Sequence, residues 1–186
     1  MNKSLEILYA TETTKLVDTI RKMGLGPAQH AQAEKLVKDF RNAFKSNDIR
    51  RATFPDEEPL SPTAKARLWY SDGFCRAASV AFQTLMGGED NGWILMAIPD
   101  IFAPYGPHHY ILHKPSNTIL DLTADQFTHY SSLQDIPYKC GKPIFDTVVA
   151  KDSPANFAKA LGIDLVAVAK KLQTINTKNA KTRTSR

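Results

Sequence analysis

Apolar residues at the start of the chain recur with the spacing of amphipathic helices. Residues 4–23 carry one apolar stripe, and residues 27–46 carry a second. The stripes consist of Leu5, Leu8, Leu16, Ile20 and Met23, and of Leu36, Val37, Phe40 and Phe44. Gly24 and Gly26 separate the two segments, and Pro27 suits the first turn of a helix. The pattern predicts a helical hairpin whose apolar faces cover another part of the molecule.

A polar segment follows this hairpin. Residues 46–61 are rich in charged and turn-forming residues, among them Pro55-Asp56-Glu57-Glu58-Pro59. Ser61-Pro62 then matches a helix N-cap followed by proline in the first turn. We therefore predict three regions: an N-terminal helical extension (1–60), a core (61–175) and a basic flexible tail (176–186).

The pattern changes after residue 70. Residues 75–86 are apolar on nearly every side and end at Gly87-Gly88, as expected of a helix in the middle of a fold. The following pattern predicts three strands and a closing helix, at residues 93–98, 109–113, 118–122 and 153–173. This order indicates an α+β fold with a central helix packed on a small antiparallel sheet.

Composition and charge narrow the class of protein. Of the residues, 42% are apolar and 23% charged, which is typical of a folded domain. No apolar run reaches the roughly 18 residues that span a bilayer, and the first residues lack the apolar core of a signal peptide. We therefore expect a cytoplasmic protein that does not contact the membrane.

The net charge of +5 is concentrated at the C-terminus. Residues 170–186 contain six basic residues and no acidic one. These are Lys170, Lys171, Lys178, Lys181, Arg183 and Arg186. Such a tail is either a solvated terminus or a contact for nucleic acid or another acidic surface.

The two cysteines differ in their predicted surroundings. Cys75 follows the turn Ser71-Asp72-Gly73-Phe74 and opens the buried helix, where backbone N–H groups and the helix dipole lower the pKa of a thiol. Cys140 lies in a loop rich in Pro and Gly. Cys75 is therefore the candidate nucleophile, with a small buried apolar role as the alternative. Neither a disulfide, a metal site nor a cofactor is expected from this spacing.

The predicted hairpin puts an imidazole and a carboxylate on adjacent strands. With a three-residue turn, His109 lies opposite Asp121; with a four-residue turn, its partner is Leu122 and Asp121 is one step away. His108 competes with His109, because alternation lets only one of them face Asp121. A cysteine at a helix start, a histidine on a strand and a carboxylate on the next is the arrangement that thiol acyl transfer requires.

Several segments resemble a family of bacterial and phage proteins. Its pattern is approximately HCYVASEALYHLLGG, HWFL and IDPTADQF. The matching segments here are Gly73–Gly88 (GFCRAASVAFQTLMGG), His109–Leu112 (HYIL), Ile119–Phe127 (ILDLTADQF) and Pro137-Tyr138. More distantly, the chain resembles the papain-like and transglutaminase-like cysteine enzymes. Phe74, Tyr110 and Leu122 depart from the family pattern, where His, Trp and Pro are common.

The resemblance implies a papain-like (transglutaminase-like) fold and a catalytic triad. Cys75 would be the nucleophile, His109 the general base and acid, and Asp121 the orienting carboxylate. Gln126 would support the site by hydrogen bonding. Further candidates for site support are His108, Trp69 and Tyr70, the two aromatic residues having a core role as the alternative.

The function implied is acyl transfer by a cysteine enzyme in a bacterium or a phage-infected host. We expect hydrolysis of an amide in a protein or peptide through a thioester intermediate. Peptidase, glutamine deamidase and transglutaminase activities share this chemistry and remain open. The alternative is a non-catalytic binding protein on the same fold, whose basic tail contacts nucleic acid or another acidic partner.

Overall fold

The computed structural model describes residues 3–57, 70–99, 107–127 and 136–184. The side chains of residues 3–5, 176 and 178–184 lie outside this description. The described part contains six α-helices and a four-stranded antiparallel sheet, which confirms the predicted α+β class. The helices are α1 (Lys3–Lys22), α2 (Pro27–Ala43), α3 (Asn47–Thr53), α4 (Cys75–Leu85), α5 (Ser153–Ala160) and α6 (Leu165–Thr184). The strands are β1 (Trp93–Ile98), β2 (His108–His113), β3 (Thr118–Leu120) and β4 (Lys142–Pro143).

Most helices lie where the sequence pattern placed them, and α3 is the exception. It falls in the segment predicted to be a polar link, and begins where the Ser46 side chain accepts a hydrogen bond from the Ile49 N–H at 3.3 Å. The closing helix predicted at residues 153–173 is two helices. Gly162, with φ of +76°, lies between them in a left-handed conformation that ends α5.

The C-terminal helix extends beyond the end predicted at residue 173. The backbone of α6 is helical through Thr184. Residues 176–184 contain neither Gly nor Pro, so no helix-breaking residue interrupts the helix that begins at Leu165. Lys170 and Lys171 are exposed on this helix. The side chains of the other predicted basic residues, Lys178, Lys181, Arg183 and Arg186, lie outside the described part.

The sheet has the order β3-β2-β1-β4, so β2 is an interior strand. Its register with β3 pairs Ile111 with Leu120 and His113 with Thr118. The connection is therefore the four-residue alternative, and Asn117 completes it in a left-handed conformation with φ of +50°. Continued past the end of β3, this register places Asp121 opposite Tyr110, on the face that Tyr110 shares with His108.

The main core lies between α4 and one face of the sheet. Alanines of α4 and Phe82 pack there with Trp93, Ile111 and Leu120. The N-terminal hairpin contributes to the same core, because Phe44 of α2 stacks on Phe74 with ring centroids 4.7 Å apart. A smaller cluster covers the opposite face of the sheet and includes Met96, Ile98, Tyr110 and Phe127.

The helices of the described part were also compared with the length and hydropathy of membrane spans. None of them is long and apolar enough to cross a bilayer.

Candidate functional site

Cys75 is the first residue of α4. Gly73, with φ of +78°, makes the preceding turn, in which the Phe74 N–H donates to the Ser71 carbonyl at 3.1 Å. Phe74 is fully buried and fixes the start of the helix in the core. The first hydrogen bond within the helix runs from the Ala78 N–H to the Phe74 carbonyl. The N–H groups before Ala78 therefore have no carbonyl partner within the helix.

The sulfur of Cys75 lies at the entrance to strand β2. Sγ is 4.0 Å from Nδ1 of His109 and 4.0 Å from the carbonyl oxygen of Pro107. His108 also lowers the pKa of the thiol, together with His109. Cys75 is partly exposed, whereas both histidines are buried. The His109 ring therefore lies beside the sulfur, and both histidines affect the ionisation of the thiol.

His108, rather than His109, contacts the carboxylate of Asp121. Its Nε2 lies 2.7 Å from Oδ2 of Asp121, with both side chains almost completely buried. Asp121 also accepts hydrogen bonds from the Thr123 N–H at 3.0 Å and from the Tyr138 hydroxyl at 2.8 Å. These donors fix the carboxylate, and the carboxylate in turn fixes the ring.

The predicted contact between His109 and Asp121 is wrong. The four-residue turn shifts the pairing by one position, and a one-position shift exchanges the two faces of a strand. Asp121 thereby shares a face with His108, while His109 shares the α4 side with Ile111. The backbone carbonyl of His109 accepts a hydrogen bond from Ser79 of α4 at 3.2 Å.

The electrostatics of the site favour a charged thiol. Burial raises the pKa of Cys75, but hydrogen bonds with His108 and His109 outweigh it and lower the pKa to about 6. Burial lowers the pKa of His108, but the Asp121 charge and hydrogen bond outweigh it and raise the pKa to about 10. Burial likewise opposes ionisation of Asp121, yet His108 holds the pKa of that carboxyl below its usual range. Near neutral pH the site is therefore a thiolate beside an imidazolium and a carboxylate.

Gln126 lies on a short 3₁₀ turn, Ala124–Phe127, and reaches the other ring nitrogen of His108. Its side-chain Nε2 is 3.0 Å from His108 Nδ1. This orientation suits a neutral ring, in which Nδ1 accepts from the amide and Nε2–H donates to Asp121. A doubly protonated ring requires the amide to turn its oxygen toward Nδ1.

The remaining predicted support residues are Trp69 and Tyr70. Trp69 lies outside the described residues. The Tyr70 ring packs edge-on against Tyr9 with centroids 5.0 Å apart, and its hydroxyl donates to Glu6, so its contacts are with α1. Cys140 is exposed on a separate turn and is a free thiol, as is Cys75.

Sequence reasoning missed two polar residues around Asp121. Tyr138 belongs to the segment Pro137-Tyr138 that resembles the family pattern, but nothing in the sequence assigns it to the carboxylate. Arg41 lies on the apolar stripe of α2, four residues after Val37 and three before Phe44, and is fully buried. A charged residue on a buried stripe is a readable signal that a buried partner exists elsewhere in the chain.

The chain was compared with protein-family models, curated proteins and solved structures. No family model, curated protein or solved structure matches it.

Proposed function

We propose that this protein is a papain-like cysteine enzyme that transfers an acyl group to water through a thioester on Cys75. The observation that carries the proposal is a thiol at a helix start beside the pair His108-His109, of which His108 is bound to a carboxylate held by two further donors. Isolated cysteines or histidines are common in cores, but a thiol beside histidines and a carboxylate, with a lowered pKa, is suited to nucleophilic attack.

The fold supports the proposal at the level of architecture. The nucleophile opens the central helix, and the helix packs on an antiparallel sheet whose β2 carries the histidines and whose β3 leads directly into Asp121. The order along the chain is Cys, His, Asp. This is the order in the papain-like and transglutaminase-like enzymes that the sequence resembles.

We assign the proton transfers to His108 rather than to His109. Asp121 occupies Nε2 of His108, which orients the ring and stabilises its charged form. The thiol gives its proton to Nδ1 of His108, which requires the Gln126 amide to stop donating to that nitrogen. The Cys75 thiolate then attacks the acyl carbon. The imidazolium then protonates the leaving amine as the C–N bond breaks, which leaves a thioester on sulfur and a neutral ring.

Hydrolysis completes the cycle with the same groups. The neutral imidazole takes a proton from water, and the hydroxide attacks the thioester carbon. The C–S bond breaks, the acid is released and the thiolate–imidazolium pair is restored. Backbone N–H groups at the start of α4 are suited to stabilise the oxyanion that forms in both halves of the cycle.

A trapping experiment tests this function. The protein is incubated with a panel of peptides and glutamine-containing proteins, with a fluorescent amine as the competing acceptor, and is analysed by mass spectrometry. We expect an acyl adduct on Cys75 that hydroxylamine removes, since hydroxylamine cleaves thioesters. Release of a peptide, of ammonia or of an amine-labelled product then distinguishes peptidase, deamidase and transglutaminase.

Matched variants sharpen the result. Cys140→Ser should form the same adduct, and Cys75→Ala should form none and should lose turnover. Turnover that survives in Cys75→Ala would exclude the proposed nucleophile.

A further inference from the structure

Arg41 is a fully buried arginine between the N-terminal helices and the segment that follows β3. Its side chain and that of Asp125 are each about 1% exposed. Nη1 and Nη2 of the guanidinium donate to the two carboxylate oxygens of Asp125, at 2.6 and 3.1 Å. This two-pronged geometry fixes the direction of the carboxylate as well as its position.

The N-terminal helices hold the guanidinium in place. Nε donates to the Thr13 hydroxyl at 3.1 Å, and Nη2 donates to the Tyr9 carbonyl at 3.3 Å. The Tyr9 ring lies 3.6 Å from the guanidinium carbon, and its hydroxyl donates back to the Arg41 carbonyl. Nε and Nη2 of the guanidinium thus each donate to a residue of α1.

Arg41 also holds the backbone of the same segment. Nη1 donates to the Leu122 carbonyl at 3.1 Å. Leu122 follows Asp121 directly, and Asp125 precedes Gln126 directly. The two contacts of Arg41 therefore lie beside the two residues that bond to the ring nitrogens of His108.

We propose that Arg41 is a positioning residue, which holds Asp121 and Gln126 against His108 through its contacts with Asp125 and the Leu122 carbonyl. The proposal rests on the proposed function, in which His108 is the proton carrier. It gives the N-terminal hairpin a part in the chemistry, because α1 and α2 present the guanidinium. A separate helical extension would have no such part.

Stability of the fold alone is a poor explanation for a buried ion pair. Replacing such a pair with apolar side chains of similar volume is often neutral or stabilising, because two charges no longer have to be removed from water. Directional hydrogen bonds to one segment are what the apolar replacement cannot supply. Mutation of the Arg41–Asp125 pair can therefore separate its effect on the orientation of that segment from its effect on the stability of the fold.

The test is the paired replacement Arg41→Met with Asp125→Leu in the full chain. Folding is checked by circular dichroism and by the denaturation midpoint, and the rate of Cys75 alkylation by iodoacetamide is measured against pH, with adducts located by mass spectrometry. We expect a folded protein whose profile for Cys75 moves to higher pH, with a rate at pH 6 lower by roughly tenfold, since thiolate loss outweighs the gain in intrinsic nucleophilicity.

The control removes two charges from the surface of α1, the helix that carries Tyr9 and Thr13. Arg21→Gln with Asp18→Asn breaks an exposed pair on α1 and should leave the profile unchanged. A folded Arg41→Met/Asp125→Leu protein with the wild-type profile would overturn the proposal. If that chain does not fold, Arg41→Lys is used instead, because lysine keeps the positive charge but cannot make the two-pronged contact with the carboxylate. An unchanged alkylation profile in this variant would also overturn the proposal.

Failure of the proposed function gives a different result. If Cys75 in the unaltered protein titrates as an ordinary thiol, the function is excluded before any variant is compared. If the unaltered protein has a depressed midpoint and the paired variant shares it, only the positioning role of Arg41 is excluded.

Discussion

His108 and His109 are adjacent, buried and of the same residue type, yet their surroundings differ. His108 contacts a carboxylate at one ring nitrogen and an amide at the other, and its pKa is raised by the Asp121 charge against the effect of burial. His109 faces α4, where its ring lies beside the sulfur and its backbone carbonyl holds Ser79. Their partners differ because neighbouring residues of a strand face opposite sides of the sheet.

The register of a hairpin thus decides which of two neighbouring histidines meets the carboxylate. A turn of three residues would give the carboxylate to His109, and the turn of four gives it to His108. The same segment of sequence thus supports two triads that differ in one residue. The following variants test which histidine acts as the base for the Cys75 thiol.

The largest effect is expected from His108→Asn. Asp121 would keep its buried charge without an ionic partner, which costs about 3–5 kcal/mol of unfolding free energy. The pKa of Cys75 should rise from about 6 toward the ordinary thiol value of about 8.5. Urea denaturation and the alkylation profile measure the two changes. An unchanged alkylation profile would contradict the role given to His108.

Asp121→Asn should have the next largest effect on the site. Removing the carboxylate charge should lower the pKa of His108 from about 10 toward about 6.5, because burial then acts without an opposing charge. The His108 ring resonances in an NMR pH titration report this directly. A His108 midpoint that remains near its original value would show that the ion pair does not set the charge of the ring.

His109→Asn is expected to change the site less than His108→Asn. His109 hydrogen-bonds with the thiol but has no contact with Asp121. The Cys75 midpoint should rise by a smaller amount, while the His108 titration stays in place. If His109→Asn instead gives the larger rise, His109 is the base, as the sequence resemblance implies.

The stability of the protein should vary with pH in a way that follows from the pair. The raised pKa of His108 adds stability that is complete below about 6.5 and is lost as pH rises through about 10. The lowered pKa of Cys75 adds stability that is complete above about 8.5 and is lost as pH falls through about 6. The two slopes cancel between about pH 6.5 and 8.5, so the unfolding free energy should be flat there and lower on both sides.

Denaturation curves at a series of pH values check this plateau. Cys75→Ala removes the slope that opposes the His108 loss, so its stability should decline from about pH 6.5 upward. A wild-type curve that declines in the same way would show that the thiol carries no depressed pKa.

Tyr138→Phe should give the smallest effect. It removes one hydrogen bond to the Asp121 carboxylate, worth about 1.5 kcal/mol for a charged acceptor. The Thr123 N–H and His108 still hold that carboxylate, so the alkylation profile should move little. A shift as large as that of Asp121→Asn would mean that Tyr138 belongs to the proton-transfer chain.

The sequence was informative where local periodicity decides the structure. The α1–α2 hairpin, the helix that begins at Cys75 and strand β1 all follow from apolar spacing bounded by Gly or Pro. Cys75 was identified from its place at a helix start, which is a local property of the chain. The continued helix at residues 176–184 was missed because weak propensity, rather than an apolar stripe, supports it.

The rest of the site depends on contacts between distant parts of the chain. The choice of His108 required the turn length, which both three and four residues satisfy by pattern alone. The partner of Arg41 lies 84 positions away, and no local rule connects α2 to Asp125. Buried polar contacts of this kind follow from tertiary packing, so one sequence predicts their existence without their partners.

The most direct test of the account is the ionisation of the Cys75 thiol in the Cys140→Ser protein, followed by thiolate absorbance against pH. We expect a midpoint near 6, because the imidazolium of His108, with His109 beside the sulfur, stabilises the thiolate. A midpoint at or above the ordinary value of about 8.5 would contradict it.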